Sequence, residues 1–309
     1  MHRIITIVGQ TAVGKTKIAI ELAKRINGEI IGLDSRQIYF AMEIGTAQPT
    51  SIERGGIPHH LIGIRSPIRN ISAGEYAKMV KAVIIDIEQR QKLPIICGGA
   101  GLYHRALRHG IFKESTSNIE IRKKLENQYD ENPQKLYERL QKLDPDYVQL
   151  VHINNKRRLV RALEIYTLTG VTPTEHFRVQ KSVKRARLNL FTILLTMDKE
   201  KLFERICRRT DQMLKDGLID EVKKIIRKYA PNAIHPLNSI GYKQVIDYLN
   251  GKLSYAEMVE EINIRTRQYA KGQLTWFKKD STDLTIDLSL ESNSKNIIPT
   301  IIERFNSLK

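Results

Sequence analysis

Residues Gly9, Gln10, Thr11, Ala12, Val13, Gly14, Lys15 and Thr16 read G-x-x-x-x-G-K-T, the spacing of a phosphate-binding loop. The chemistry follows from the residue types. Glycines let successive backbone N–H groups curl round an anion, and a helix opening at the end of the loop adds partial positive charge. Lys15 adds a full charge, and the Thr16 hydroxyl can be offered to Mg²⁺. All eight residues are therefore expected to line a phosphate or diphosphate, with Thr16 as the metal contact. A second chemical group is Asp34, which opens Asp34-Ser35-Arg36-Gln37 after a short apolar run. Its carboxylate could receive a proton, cap a helix or stand behind a metal. A third is Gly98-Gly99-Ala100-Gly101, where the backbone can approach a substrate closely, although the same pattern also makes ordinary tight turns.

The elements around these residues explain how they could meet. Ile4 to Val8 is an apolar run leading into the loop, and Lys17 to Ile26 has helical spacing. Glu29 to Leu33 reads as a strand ending at Asp34, Ala73 to Gln91 as a helix, Leu93 to Cys97 as a strand, and a further helix opens at Leu102. Strand, helix, strand at these spacings makes right-handed βαβ units, which bring Asp34 and the second glycine turn to the sheet edge that carries the loop. From about Asn118 to Thr169 helical periodicity replaces the alternation, and strand character returns at Leu188 to Leu195. The expected architecture is an α/β fold, a P-loop NTPase-like core with a parallel sheet flanked by helices, interrupted by a helical insertion. Its expected boundaries are 1–115 for the first part of the core, 116–187 for the insertion and 188–309 for the rest.

The insertion is basic. In helical geometry Arg157, Arg158 and Arg161 fall on adjacent turns while Leu159, Ala162 and Leu163 face a core. Arg178, Lys181, Lys184, Arg185 and Arg187 follow, with Glu175 nearby. A charge run alone is as well explained by a solvated face. Across 309 residues, however, 51 Lys and Arg against 34 Asp and Glu leave a formal charge of +17. Together with a phosphate site, that balance points to a nucleic-acid partner. Trp276, the only tryptophan, is expected to pack rather than to stack on a base. Cys97 and Cys207 are too few for a disulfide framework or a four-cysteine zinc site, and no apolar run approaches a membrane span. A core strand beginning this near Met1 leaves no room for a secretory signal, so a cytoplasmic protein without a membrane partner is expected.

The ordered motifs resemble those of the tRNA dimethylallyltransferase (tRNA isopentenyltransferase) family, bacterial type. Gly9 to Thr16 looks like its G-P-T-A-S-G-K-T, Asp34 to Tyr39 like D-S-M-Q-V-Y, and Ile44 to Ala47 matches I-G-T-A. Pro58 to Leu61 matches P-H-H-L, Gly98 to Tyr103 is similar to G-G-T-G-L-Y, and Arg161 to Tyr166 to R-A-L-E-V-Y. Ile240 to Lys243 matches I-G-Y-K, and Tyr269 to Phe277 is similar to Y-A-K-R-Q-x-T-W-F, so the resemblance covers most of the chain.

The resemblance implies transfer of a dimethylallyl group from dimethylallyl diphosphate to N6 of the adenine 3′ of the anticodon in tRNA. It implies a diphosphate on the loop, Mg²⁺ at Thr16, and Lys15 and Arg209 as cations on the leaving group. It implies Asp34 as the base that takes the amine proton. Asp34, Ser35, Arg36, Gln37 and Ala100 would meet the extruded adenine, and Arg122, Arg157, Arg158 and Arg161 would hold the anticodon stem-loop. A monomer is expected. Ala100 stands where the family has threonine, Gln10 where it has proline, Val13 serine, Gly63 aspartate and Gly272 arginine. The lost hydroxyl at Ala100 implies a slower enzyme that a threonine there would speed up. Three alternatives stay open at this point. They are a P-loop small-molecule kinase, a prenyltransferase acting on free adenine nucleotides, and a weakly active or inactive tRNA-binding paralogue.

Overall fold

The computed structural model describes residues 3–110, 118–182, 188–229, 235–290 and 296–307. The first half of the core runs β1 (Ile4–Gly9), α1 (Lys15–Ile26), β2 (Gly28–Leu33), α2 (Ser51–Arg54), β3 (His59–His60), α3 (Ala73–Gln89), β4 (Leu93–Gly98) and α4 (Gly101–His109). The second half runs β5 (Leu190–Thr196), α10 (Lys199–Lys215), α11 (Leu218–Lys228), α12 (Tyr242–Leu249), α13 (Tyr255–Phe277), β6 (Leu284–Asp287) and α14 (Ile297–Asn306). Between them lie α5 (Ile119–Glu131), α6 (Pro133–Leu143), α7 (Pro145–Val148), α8 (Lys156–Thr169) and α9 (Pro173–Ser182).

The described strands form one parallel sheet in the order β3-β2-β4-β1-β5-β6. β1 and β2 are buried at every position, as expected of central parallel strands covered on both faces. The core packs Ile5, Ile7, Ile30, Ile95, Phe191, Ile193 and Leu195 against Ile18, Ala19, Leu22 and Ala23, the apolar stripe of α1. Register aligns the strand ends that matter. Val8 and Leu33 both lie opposite Gly98, and Gly9 lies opposite Leu195. The residues that follow, the phosphate loop, Asp34 and Gly99-Ala100, therefore emerge level with one another at the carboxyl edge, where the strand order switches direction.

Contacts divide the chain into Met1–Arg108 with Leu188–Lys309, and His109–Arg187. The expected boundary at 115/116 lies outside the described residues. The helix that precedes it ends at His109, and the next residue is Gly110 in the left-handed region at φ 79°. The second unit has its own core of Leu125, Leu136, Leu140, Val148, Leu159 and Leu163. Side-chain caps from Asn118, Asn132, Asp144 and Asn155 start four of its helices.

Some elements differ from the sequence reading. The sequence of Glu260 to Phe277 reads as a long helix, and α13 starts earlier, at Tyr255, because Ser254 and Glu257 form a reciprocal capping box. The segment beyond Asp280, which carries no clear pattern, supplies edge strand β6 and helix α14. The side chain of Lys181 and residues Lys184, Arg185 and Arg187 lie outside the described residues.

Candidate active site

Within the loop, Ala12 takes a left-handed conformation at φ 62° and Gly14 one at φ 110°, turning the backbone into the first turn of α1. Val13 is fully buried, so its contribution to a ligand is its backbone. Gln10 is also buried, and its Oε1 has no hydrogen-bond partner. α1 has no acidic residue in its first turn, leaving the partial positive charge of the helix end uncompensated. The Lys15 ammonium donates to the Gly9 carbonyl at 3.0 Å and the Gln10 carbonyl at 2.6 Å. Burial pushes its pKa down to about 8, Arg209 adds to the shift, and Cys97 and Asp34 oppose it. Burial likewise pushes the neighbouring Cys97 thiol up to about 11, which keeps it neutral. The Thr16 hydroxyl makes no hydrogen bond among the described residues and is exposed.

Arg209 reaches the loop from α10, donating from Nη1 to the Thr11 hydroxyl at 3.3 Å. Burial lowers its pKa, while Asp34 and Glu53 work in the opposite direction. One helical turn earlier, the Arg205 guanidinium lies 3.4 Å from where a side chain on Gly14 would begin. Its hydrogen bond among the described residues is to Met197 Sδ at 3.9 Å, and no carboxylate lies within salt-bridge distance. Lys15, Arg205 and Arg209 thus form a group of cations around one loop without ion-pair partners among the described residues. Desolvated cations in such a setting favour an anion as counter-charge.

Asp34 sits just beyond β2 and is partly exposed. Its Oδ1 accepts the Arg36 N–H at 2.7 Å and the Gln37 N–H at 3.3 Å, closing an Asx turn. Its Oδ2 accepts no hydrogen bond from the described residues. One oxygen therefore fixes the carboxylate and the other is available for chemistry. The charge of Asp34 acts on Lys15 and Arg209 and also on three tyrosines, Tyr76, Tyr103 and Tyr269. Burial raises the pKa of each phenol and Asp34 pushes in the same direction, so all three stay neutral hydrogen-bond donors. Tyr76 and Tyr103 stack with ring centroids 4.2 Å apart, and the Tyr76 hydroxyl donates to the Gly32 carbonyl.

The second glycine turn joins the loop through the glutamine of the Tyr269–Phe277 motif. Gln273 on α13 is buried; its Oε1 accepts the Thr11 N–H at 2.7 Å and its Nε2 donates to the Gly99 carbonyl at 3.0 Å. A side chain on Gly99 would occupy the space of that amide. Ala100 donates its N–H to the Leu33 carbonyl at 3.1 Å and brings no hydroxyl of its own. Trp276 is partly buried beside Gly101, with the Arg105 guanidinium 4.5 Å above its ring.

The insertion's arginines are arranged differently. Arg122 Nη2 donates to Glu164 Oε2 at 2.9 Å and Arg161 Nη1 to the same oxygen at 2.7 Å, while Glu164 is fully buried. The Asn118 N–H donates to the other oxygen at 3.1 Å. Burial alone would raise the Glu164 pKa; the two guanidinium bonds outweigh it and hold the carboxyl below its usual range. Arg157 and Arg158 are exposed and make no ion pair among the described residues.

A parallel sheet whose carboxyl edge holds a cation-ringed phosphate loop and a half-free carboxylate defines a phosphate-loop α/β protein equipped to activate a group on a polyphosphate. Residues 37–280 match the IPP transferase family, and the chain belongs to it. It is 41% identical to the tRNA dimethylallyltransferase of Anoxybacillus flavithermus, over 99% of this chain and 98% of that one. It is 43% identical to that of Halothermothrix orenii, over 90% and 85%. Among solved structures, the full-length tRNA isopentenylpyrophosphate transferase of Bacillus halodurans superposes with a TM-score of 0.72 at 37% identity, covering 99% of this chain and 98% of that one. A eukaryotic dimethylallyltransferase acting on tRNA superposes with a TM-score of 0.84 at 30% identity, covering 100% and 80%. The family membership makes the chain a prenyltransferase.

Proposed function

We propose that this enzyme moves a dimethylallyl group from dimethylallyl diphosphate to N6 of the adenine 3′ of the anticodon in tRNA. The observation that carries the reading is the Asp34 carboxylate, locked through Oδ1 and, among the described residues, free at Oδ2, at the same sheet edge as a loop ringed by cations that have no carboxylate partner among those residues. Adenine N6 is a weak nucleophile because its lone pair is delocalised into the ring. As N6 bonds to C1 of the dimethylallyl group, the C1–O bond to diphosphate breaks and the N6 proton passes to Asp34 Oδ2. The charge that develops on the departing diphosphate is met by the loop N–H groups, Lys15 and Arg209. Arg205 stands close enough to Gly14 to reinforce them.

Mg²⁺ is read as the cofactor. The Thr16 hydroxyl, free among the described residues, is a hard oxygen donor at the position where a phosphate-loop Ser or Thr helps hold Mg²⁺, whose other ligands are substrate phosphates and waters. The donor set therefore fits without a cluster of acidic residues. When bound, the ion would neutralise charge on the diphosphate oxygens. The target base must leave the anticodon stack, at a cost of a few kcal/mol. The exposed Arg157 and Arg158, with Arg122 and Arg161 held by Glu164, are read as phosphate contacts on the anticodon stem-loop that offset it. Gln37, Ser35, Arg36 and Ala100 are read as neighbours of the extruded adenine. A monomeric, cytoplasmic enzyme completes the reading; no described helix is long and apolar enough to cross a membrane.

The test is transfer of label from dimethylallyl diphosphate, with Mg²⁺, into unmodified tRNA carrying adenine at that position, beside the same tRNA carrying guanine there. Label entering only the adenine form supports the reading. Preference for AMP, consumption of ATP, or tRNA binding without label would replace it with one of the three alternatives.

A further inference from the structure

The segment between β2 and α2 includes two non-glycine residues in left-handed conformations, Ala41 at φ 61° and Ala47 at φ 48°. L side chains avoid that region, so such a loop keeps its shape only when its surroundings hold it. The restraint comes from the second half of the core. Glu221, in the first turn of α11 and 8% exposed, has no cation within salt-bridge distance among the described residues. Its Oε2 accepts the Ile44 N–H at 2.7 Å. Its Oε1 accepts the Gly45 N–H at 3.0 Å and the Tyr242 hydroxyl at 2.7 Å. Three donors satisfy the buried carboxylate where a cation would otherwise be needed. The Tyr242 ring, fully buried, lies so close to Gly45 that a Cβ there would sit 2.5 Å from it. Only glycine permits this contact.

The other side of the same loop faces the site. The Gln37 amide donates to the Thr46 carbonyl at 3.1 Å and the Ala47 carbonyl at 2.8 Å. The Gln37 backbone N–H is one of the two groups that hold Asp34 Oδ1. Hydrogen bonds joined by short covalent stretches thus link Glu221 through residues 44–47 and Gln37 to the general base. The P-loop has no part in that chain.

We infer that Glu221 and Tyr242 are positioning residues for the acceptor side of the reaction: they fix the 44–47 loop, whose carbonyls orient Gln37 and keep the Asp34 turn closed. The inference rests on the reading above that Asp34 takes the N6 proton. Neither residue touches substrate, so their effect falls on tRNA turnover and leaves the diphosphate side alone.

Glu221→Gln conserves volume but turns one acceptor into a donor facing a backbone N–H. Transfer kinetics are measured against tRNA and against dimethylallyl diphosphate, with pyrophosphate affinity by calorimetry and melting temperature alongside. Glu221→Gln is expected to lower kcat/KM for tRNA by about 10- to 100-fold, with pyrophosphate Kd within about twofold of wild type. Tyr242→Phe, which removes one of three bonds, is expected to lower it by about threefold, and Glu221→Asp to recover part of the loss. A folded Glu221→Gln protein with wild-type kcat/KM for tRNA overturns the inference. So does one whose pyrophosphate affinity falls in proportion, since that is the mark of general loosening. If Glu221→Gln does not fold, Tyr242→Phe decides by the same criterion. A wild-type protein that fails to prenylate tRNA would instead remove the functional reading itself.

Discussion

Lys15, Arg205 and Arg209 gather at the phosphate loop without a carboxylate in salt-bridge distance among the described residues, whereas Arg122 and Arg161 of the helical unit converge on the buried carboxylate of Glu164. The first arrangement is electrostatically incomplete. Burial lowers the pKa of all three loop cations, so an anion that arrives there relieves an unfavourable charge state and gains accordingly. The second arrangement is already satisfied. Glu164 removes part of the positive charge and in exchange fixes where two guanidinium groups point, through charged hydrogen bonds. The contrast separates a group of cations left to be met by an anion from a pair of guanidinium groups already fixed in place by a carboxylate.

The comparison can be broken at several points. The largest effect is expected at the loop, where Lys15→Ala should reduce kcat by about 10²- to 10³-fold, measured as initial transfer rates at saturating substrates. A loss below tenfold would show that Arg205 and Arg209 suffice. A smaller effect should appear with pH. Free Lys15 titrates at about 8, and a bound diphosphate must hold it protonated, raising its pKa. Pyrophosphate affinity should therefore be full below pH 8 and fall as pH rises through 8, with proton uptake on binding at pH 8.5. Calorimetry in buffers of different ionisation enthalpy reads that uptake; its absence would place Lys15 outside the ligand's reach.

The smallest effects belong to the helical unit. Arg157→Ala and Arg158→Ala should each reduce the slope of log tRNA affinity against log salt by roughly 0.7 to 0.9 with little change in melting temperature. Arg122→Ala should lower the melting temperature as well, because it strips a charged bond of about 1.5–3 kcal/mol from Glu164. Equal behaviour of the three variants would erase the distinction between free and pinned arginines.

How much of this was legible in the sequence depends on how local each feature is. The loop, Asp34 and the second glycine turn follow from motifs and from apolar runs long enough to be central strands, and register does the rest by bringing Leu33, Val8 and Gly98 level. The arginine face of α8 was also readable, with Leu159, Ala162 and Leu163 buried as helical spacing requires. The Arg161–Glu164 pair has the i,i+3 spacing of neighbours on one helix face, but that Glu164 is buried and also holds Arg122, 42 residues earlier, was not readable, because that partner is chosen by tertiary packing. Arg205 escaped notice for the same reason. It lies far along the chain from the loop it serves, and a lone arginine on a helix carries no local mark of its partner. Tyr103, Tyr269 and Gln273 did lie within motifs, yet only the structure shows that the Asp34 charge acts on the two tyrosines and that Gln273 bridges Thr11 and Gly99. β6 has four residues on a sheet edge, too short for alternation to stand out.

The most direct test of the account is the Asp34→Asn protein in a single-turnover transfer experiment at saturating tRNA, with pyrophosphate affinity measured in parallel. Asparagine keeps an oxygen to accept the Arg36 and Gln37 N–H groups and removes the carboxylate's capacity to take the N6 proton. The account predicts a transfer rate at least about 100-fold lower, with pyrophosphate Kd within about threefold of wild type. A rate near that of the wild type would contradict it and place the base elsewhere.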